Sequence, residues 1–461
     1  MSKLYIFGIG GTGSRVLRSL TMMLAAGVRV EASSIVPIII DPDASNADMT
    51  RAVSLLNLYR DLRGACGPQG FFQQEVEAAL PGYRLPIQDT DNKRFSQFID
   101  AGTMSPANQA LVRLLFSEHN LKAQMEVGFK GNPNIGSVVL SQLVHSPEFE
   151  QFANSFAQGD RIFIISSIFG GTGASGFPLL LKTLRTGNDF PNYNLVNQAP
   201  VGAVTVLPYF KVQPDEESEI DSSTFISKAK SALAYYEDNV RNQVNALYFL
   251  ADDMTNTYDN HEGGTTQKND AHLIELLAAN AIVDFCEGDY PVGQTAYKEF
   301  GIDDKQTSPV TFSSFYSGTA RTLQQPLTQF LLTANCFEQQ FDHITSQGLS
   351  ANAKLHLDAN FYRSPFVSNL QQMLTEYREW LREMKENTRS LDLFNLETDK
   401  PFEVVTGVQA SRVMSLKSNY TLIFDRLNSA ACKIRTESQA SSLVALYYQA
   451  TQKLVHEKFK L

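Results

Sequence analysis

Along the first half of the chain, short β-branched and apolar runs alternate with segments whose apolar positions recur every three or four residues. That alternation predicts a parallel sheet covered by helices. Strands are expected at Leu4–Phe7, Ile35–Ile40, Arg161–Ser166, Val201–Leu207 and Ala246–Leu250, each followed by a loop rich in glycine, aspartate or proline. In an open parallel sheet, ligands bind where such loops leave the carboxyl ends of the strands, so chemistry is sought there first. Between Asp43 and Gly128 the pattern is mostly helical and reads as an insertion on the sheet. Residues 254–270 are polar and rich in Gly, Asn and Thr, the texture of a mobile surface loop. Ala271 to Glu287 reads as one mostly apolar helix.

Beyond about residue 292, long helical patterns take over, and "SPVTFSSFY" and "FEVVTGV" are the clearest strand-like runs. Phe366, Leu370, Met373, Leu374, Tyr377, Leu381 and Met384 mark one buried helix face, and a last helix is expected over Ser441–Phe459. The expected class is therefore α/β: a Rossmann-like parallel-sheet domain, a central core helix, then a largely helical α+β domain. The boundaries fall at 1–268 (helical insertion about 44–125), 269–291 and 292–461. A chain of 461 residues fits two domains better than one core.

Composition narrows the partners. Lys+Arg 39 against Asp+Glu 49 leaves a net charge of −10, which argues against a broad nucleic-acid surface or an anionic membrane face. Any anion must be gripped locally. Cys66, Cys286, Cys336 and Cys432 lie far apart, with neither CxxC nor metal-type spacing, as expected in a reducing cytoplasm. Met1 runs almost directly into the apolar Leu4–Ile9, and no apolar run reaches the ~18 residues of a membrane span, so a cytoplasmic chain without a membrane segment is expected. The scattered histidines offer no metal cluster.

The glycine loops carry the strongest signal. "SIFGGTGASGFP" places Gly170, Gly171, Thr172, Gly173, Ala174, Ser175 and Gly176 between a strand and a helix. Glycine lets the backbone approach a ligand, and consecutive amides at a helix start cradle phosphate, with Thr172 and Ser175 as added hydroxyl donors. A β-branched side chain at Gly173 is expected to fill phosphate space. "FGIGGTGSR" repeats the grammar at the first strand with Gly10, Gly11, Thr12, Gly13, Ser14 and Arg15, and "VGFKGNPNIGS" supplies a third loop with Gly131 and Asn132. "IIIDPDASN" puts Asp41 and Asp43 after the second strand, suited to a ribose hydroxyl, to waters around Mg²⁺, or, for Asp41, to a helix N-cap. "QKNDAHLIELL" opens the core helix with Asn269 and Asp270, as a base reader or an ordinary cap.

These loops, in this order, resemble the tubulin/FtsZ superfamily of nucleotide-dependent, filament-forming GTPases. GGTGASG resembles the signature G-G-x-T-G-[ST]-G, with Ala174-Ser175 where the family has one residue. GIGGTGSR resembles the first phosphate loop, DPDAS the N-T-D-A loop, and GNPNIG the A-N-P-E-x-G loop. "VTVLPYF", with Pro208, is similar to the strand that ends near the ribose, and Asn269 matches the asparagine that contacts guanine. The similarity spans about Leu4 to Glu287. It implies GTP/GDP as the guest with Mg²⁺ held mainly through phosphates and water, head-to-tail self-assembly, and hydrolysis completed by acids of the next subunit. Here "DFCEGDYPVG" stands where the family reads N-x-D-F-A-D, so Glu287 and Asp289 are the catalytic candidates by position, with Asp284 still inside the helix.

Two other readings stay open. One is a nucleotide-binding scaffold without hydrolysis. The other is a ThiF-like adenylating enzyme, suggested by G-x-G-x-x-G followed by DPDASN, although it leaves GGTGASG and GNPNIG unexplained. The C-terminal helices offer a face for a protein partner.

Overall fold

The computed structural model describes residues 2–90, 92–125, 129, 132–213, 222–254, 256–258, 264–266, 268–290, 293–302, 309–346, 349–411 and 419–461. The chain begins with strand β1 (Leu4–Ile9), helix α1 (Gly10–Ala25), β2 (Ser34–Ile40), α2 (Ala47–Cys66) and β3 (Glu75–Val76). Short helices α3 (Phe95–Phe98), α4 (Pro106–Leu115), α5 (Glu118–Lys122), α6 (Pro133–Leu140) and α7 (Pro147–Ser155) lead to β4 (Arg161–Ser167) and α8 (Gly171–Thr186). Then come α9 (Tyr193–Gln198), β5 (Val201–Val206), β6 (Phe210–Val212), α10 (Phe225–Asn239), β7 (Ala246–Leu250), β8 (Asn256–Tyr258), α11 (Leu273–Glu287) and β9 (Ala296–Glu299). The rest is helical: α12 (Ser317–Thr345), α13 (Ser350–Leu355), α14 (Ala359–Tyr362), α15 (Pro365–Glu386), α16 (Tyr420–Ala430) and α17 (Gln439–Phe459).

The main sheet has seven strands in the order β3-β2-β1-β4-β5-β7-β9, and every neighbouring pair is parallel. Each of the five expected strands is present. The short edge strands β3 and β9 add to them, while β6 and β8 pair separately.

Side-chain alternation along β1 decides which helix covers which face, because successive residues point to opposite sides of a strand. Tyr5 and Phe7 meet Phe152 of α7 at ring distances of 5.2 and 5.1 Å. Gly8, on the other side, is crossed by α1, where a side chain would lie 2.9 Å from Leu17. Gly176 of α8 packs on Ile9, so α7 and α8 share one face. Gly202 of β5 faces Phe285, which places α11 beside α1 on the other.

The C-terminal helices form a further layer outside α1 and α2. Phe330 of α12 packs edge-on to Phe71, Phe71 meets Tyr448 of α17, and Trp380 of α15 donates to Ser19 Oγ at 3.1 Å. The expected stripe on α15 is buried at Leu370, Met373, Leu374, Tyr377, Leu381 and Met384. The two strand-like runs in this half do not form strands. Val310 makes a single bridge to Leu391 and Val405 one to Phe394, and Phe312–Ser314 is a 3-10 turn. Their apolar residues are buried as isolated extended segments, and a lone bridge gives no ladder to propagate. No helix among the described residues is long and apolar enough to cross a membrane.

Candidate functional site

From β1 the chain winds outward to β2 and β3, then returns to lay down β4, β5, β7 and β9 on the other side. The strand order therefore switches direction between β1 and β4. At a switch point the two loops leave toward opposite faces and open a crevice at the carboxyl edge, where open α/β sheets bind ligands. Flanking this crevice are the two glycine stretches, which are not the loops expected from sequence: Gly10–Arg15 forms the first turns of α1 and Gly171–Gly176 those of α8, with Pro178 further inside that helix.

Both helices that start there lack caps. α1 begins after Ile9 and α8 after Gly170; neither start has a side-chain hydrogen bond, and neither first turn has an acid. Their first amides and their dipoles are thus available to an anion. The loops also face each other. A Cβ built on Gly10, which stands at φ +69°, would lie 3.5 Å from Thr172 Cβ and 4.0 Å from the Gly173 amide nitrogen. Thr172 is half-buried, and its hydroxyl makes no hydrogen bond among the described residues.

Not every glycine serves this approach. A Cβ on Gly13 would sit 2.4 Å from the Gly8 carbonyl carbon, and one on Gly173 would sit 2.6 Å from the Ser167 carbonyl oxygen. These two let a helix cross its own strand, as the third glycine of a dinucleotide fingerprint does. The expectation that a side chain at Gly173 fills phosphate space is therefore corrected: it would strike the β4 backbone. Gly176 likewise packs on Ile9 and Leu140.

Several expected ligands turn inward. Ser175 is buried and donates to Gly171 O at 2.7 Å. Arg15 is buried, and its guanidinium is engaged throughout: Nε with Glu275 at 2.6 Å, Nη1 with Asp48 at 2.7 Å, and Nη2 with the Tyr209 hydroxyl at 2.9 Å and Thr12 Oγ1 at 3.3 Å. Arg15 therefore braces the loop instead of offering a free cation to phosphate. Ser14 Oγ is buried with no hydrogen-bond partner among the described residues. Asp43 accepts from Ser45 N at 2.9 Å and from Gly264 N at 2.5 Å. Asp41 differs: Oδ1 accepts from Asp43 N at 3.0 Å, but Oδ2 is buried with no hydrogen-bond partner among the described residues. Burial pushes its carboxyl up to about 7. An orphaned acceptor beside the crevice suits a hydroxyl or a metal-bound water, both of which donate.

A lattice of buried ions extends from Arg15. Asp48 Oδ1 accepts from Arg51 at 2.7 Å, Arg51 reaches Glu383 of α15 at 3.3 Å, and Glu383 binds Arg18 at 2.5 Å. Tyr209 donates to Glu275 at 2.9 Å. The lattice joins α1, α2, α11, α15 and the loop after β5, in which half-buried Pro208 precedes Tyr209. None of Asp48, Glu275, Tyr209, Arg18, Arg51 or Glu383 was singled out from sequence. One signal existed: Glu275 is the lone acid in the apolar run "AHLIELLAANAIV".

Asn269 lies four residues before α11, with its amide donating to Asp48 at 3.2 Å and its carbonyl accepting from Arg51 at 2.5 Å. Neither it nor Asp270 caps the helix. His272 does, accepting from Ile274 N at 3.1 Å through Nδ1, while Glu275 returns to the His272 amide. Burial holds the imidazole neutral, its pKa down to about 3. The polar stretch before it is tied to the site where it is described, through β8, Gly264 and Asn269. Asn132 precedes α6; Gly131 and Gly128 lie outside the described residues.

Glu287 ends α11, and exposed Asp289 follows. The carbonyl next to Glu287, that of Cys286, accepts from Arg161 at 2.6 Å, and Arg161 is the first residue of β4. Both acids are thus at the amino edge of the sheet. The structure brings the two described glycine loops, Asp41, Asp43, Pro208 and Asn269 to one edge and the acids to the other. Among the described residues, no three His, Cys, Asp or Glu side chains form a metal cluster.

No family model matches the chain, and no curated protein matches it. Among solved structures, the chain is similar to CetZ2 from Haloferax volcanii, a GTPγS-bound protofilament (14% identity, 54% of this chain and 49% of that one, TM-score 0.27). It is similar to CetZ1 from the same organism, a GDP-bound monomer (15% identity, 54% and 51%, TM-score 0.29). An FtsZ mutant from M. jannaschii also matches (16% identity, 54% and 46%, TM-score 0.26). The matches span about half the length of these structures.

Proposed function

We propose that the chain binds GTP with Mg²⁺ at the open starts of α1 and α8 and assembles head to tail, with hydrolysis at the junction between copies. The observation that carries this reading is the pair of uncapped glycine helix starts facing each other at the switch in strand order. Each amide-to-phosphate hydrogen bond contributes roughly 1.5–3 kcal/mol, so several suffice without a lysine or arginine. Gly10, Gly11, Thr12, Gly170, Gly171 and Thr172 would line the phosphates, with Gly131 and Asn132 of the third loop expected to join them. Asp41 would accept from ribose or from a water on Mg²⁺, and Asn269 would read guanine, as the sequence resemblance implies. Bound Mg²⁺ supplies charge neutralisation between phosphates.

The placement of Glu287 and Asp289 at the far edge fits a reaction completed by the next copy. In a heterologous stack the amino edge of one copy meets the carboxyl edge of its neighbour, and such a contact propagates. The same placement keeps Glu287 and Asp289 of a lone chain away from its own phosphates, which favours, as a second reading, a scaffold that binds without hydrolysing.

Calorimetric titration with GTP and Mg²⁺ tests the core. A saturable heat with one site per chain, weaker for ATP, is expected; no heat at millimolar nucleotide overturns the proposal. Phosphate release that rises with protein concentration would then separate the GTPase from the scaffold, and pyrophosphate release would identify an adenylating enzyme.

A further inference from the structure

The two ends of α1 stand at two different sites. Its first residues, Gly10 to Thr12, line the crevice at the carboxyl edge of the sheet. The turn after its last residue, with Gly27, Val28 and Arg29, lines a cavity of about 600 Å³ at the amino edge, which the end of α11 and the start of α12 complete. Most of that lining is polar. Crevice and cavity are thus a helix length apart, roughly 24 Å for 16 residues at ~1.5 Å each.

The charges on the lining are unevenly matched. Asp284 is held by Lys298 and by the Tyr248 hydroxyl. Arg29 on the turn, Arg321 in the second turn of α12 and Glu287 at the end of α11 are all exposed, and none has an ion-pair partner among the described residues. Exposed Glu31 and Asp289 follow closely in sequence. The crevice shows the complementary shortage. Arg15 is enclosed by Asp48, Glu275 and Tyr209, Arg18 by Glu383, and Arg51 by Asp48 and Glu383. All three are committed to the ion lattice, so none can follow charge that grows on a phosphate chain. Fixed amides suit the charge a triphosphate already carries, whereas charge that develops during transfer to water is met by a mobile guanidinium with its planar fork of donors.

We infer that Arg29 and Arg321 of one copy reach the triphosphate held by the next copy and supply, across the junction, the cations that the enclosed Arg15 does not. This deepens the proposed function and rests on it for both the nucleotide and the head-to-tail direction. Copies displaced along α1 set the cavity of one over the crevice of the next, because the two sites are the ends of the same helix, and the contact repeats without closing. A lone chain cannot do this, since its arginines stand a helix length from its own phosphates. Between two copies the hollow gives the terminal phosphate and a water room. Water attacks the γ-phosphorus, the bond to the β–γ bridging oxygen breaks with its electron pair leaving on GDP, and the water's proton passes to Glu287 and on to solvent as inorganic phosphate is released. Charge that grows on the bridging and γ oxygens faces the two guanidiniums. Before nucleotide binds, the same arginines would meet the positive ends of α1 and α8, so the empty junction is repelled and the loaded one attracted.

The full chain tests this. The double variant Arg29→Ala, Arg321→Ala removes side chains that make no hydrogen bond among the described residues, so circular dichroism and thermal unfolding are expected to match wild type. By calorimetry on dilute protein its GTP binding is expected to be unchanged. Its phosphate release, at concentrations where wild type associates, is expected to fall by about 100-fold or more. Thr172→Asp keeps both arginines but sets a carboxylate against the phosphates and holds GTP weakly. Mixed with the arginine variant at a GTP concentration that loads only the latter, it is expected to restore phosphate release, because its arginines act on the nucleotide of the other copy.

Phosphate release by the arginine variant at the wild-type rate overturns the inference, and so does a mixture no faster than its two components summed. Weakened GTP binding by the dilute arginine variant overturns it as well, since the arginines would then serve their own chain. A wild type that binds GTP and never releases phosphate overturns the inference and leaves nucleotide binding standing. A wild type that gives no heat with GTP removes the nucleotide reading itself, and the inference with it.

Discussion

α1 and α8 start at the same edge of the sheet as α2 and α11, yet the two pairs treat their first amides in opposite ways. Asn46 accepts from the amides of Asp48 and Met49 at the start of α2, and His272 with Glu275 closes the start of α11. α1 and α8 begin on glycine and close nothing. Where a helix start only has to be stable, the sequence supplies its own acceptor, a gain of about 1 kcal/mol per cap. Where it leaves amides open beside a crevice, it forgoes that gain and leaves donors that an anion from outside can meet. The ion lattice beneath explains how the open pair is held. Arg15 ties the α1 loop to α2, α11 and Tyr209, so the amides keep their aim without a cap.

The strongest way to break this contrast is to remove the brace. Arg15→Met leaves Asp48 and Glu275 buried without their shared cation, an expected loss of about 3–5 kcal/mol in urea unfolding. A loss under 1 kcal/mol would show that the lattice does not hold the loop. Next comes Asp41, whose carboxyl is pushed up to about 7 from 3.8 by burial. The folded state then binds a proton more tightly than the unfolded chain. The stability this confers is complete below pH 3.8 and is lost as pH rises through about 7. At ~1.4 kcal/mol per pH unit the loss is at most about 4 kcal/mol. Asp41→Asn should remove it, and adding nucleotide with Mg²⁺ to the wild type should offset it. His272 has the opposite sign: its contribution is complete above 6.5 and falls away toward pH 3, so the wild-type minus Asp41→Asn difference isolates the carboxyl.

Smaller effects sharpen the contrast between packing glycines and ligand-facing ones. Gly13→Ala and Gly173→Ala force a Cβ onto strand backbone and should cost about 1–3 kcal/mol, measured by thermal unfolding without ligand. An unperturbed melting temperature would mean that the crossing can relax. Thr172→Asp supplies α8 with the acid its first turn lacks. It should stabilise the unliganded protein by about 0.5 kcal/mol through the dipole while weakening GTP binding at least tenfold by repulsion. Gained stability with unchanged binding would place the phosphates elsewhere.

The sheet was legible because its strands are continuous β-branched runs such as Ile35–Ile40, flanked by glycine and aspartate. β3 and β9 were not, since two to four residues at an edge carry no pattern. In the C-terminal half, "FEVVTGV" has strand composition but meets its neighbour at a single bridge, Val405 to Phe394, and composition cannot supply a ladder. At the site, glycine spacing located the crevice but could not tell Gly10, which faces the other loop, from Gly13, which packs on its own strand. Nor could it show that Arg15 is enclosed by Asp48 and Glu275, residues 33 and 260 positions away. The cap of α11 is hidden for a related reason: Asn269 and Asp270 are the stronger cap formers by type, but the chain turns into the helix only at His272.

Amide hydrogen exchange resolved to single residues, with and without GTP and Mg²⁺, bears most directly on whether open helix starts are the phosphate grip. Exchange should slow at Gly10 to Thr12 and at Gly171 and Thr172 on saturation, and stay unchanged at Asp48, Met49 and Ile274, whose amides already have acceptors. Equal exchange at both glycine loops, with nucleotide in large excess, would contradict the account.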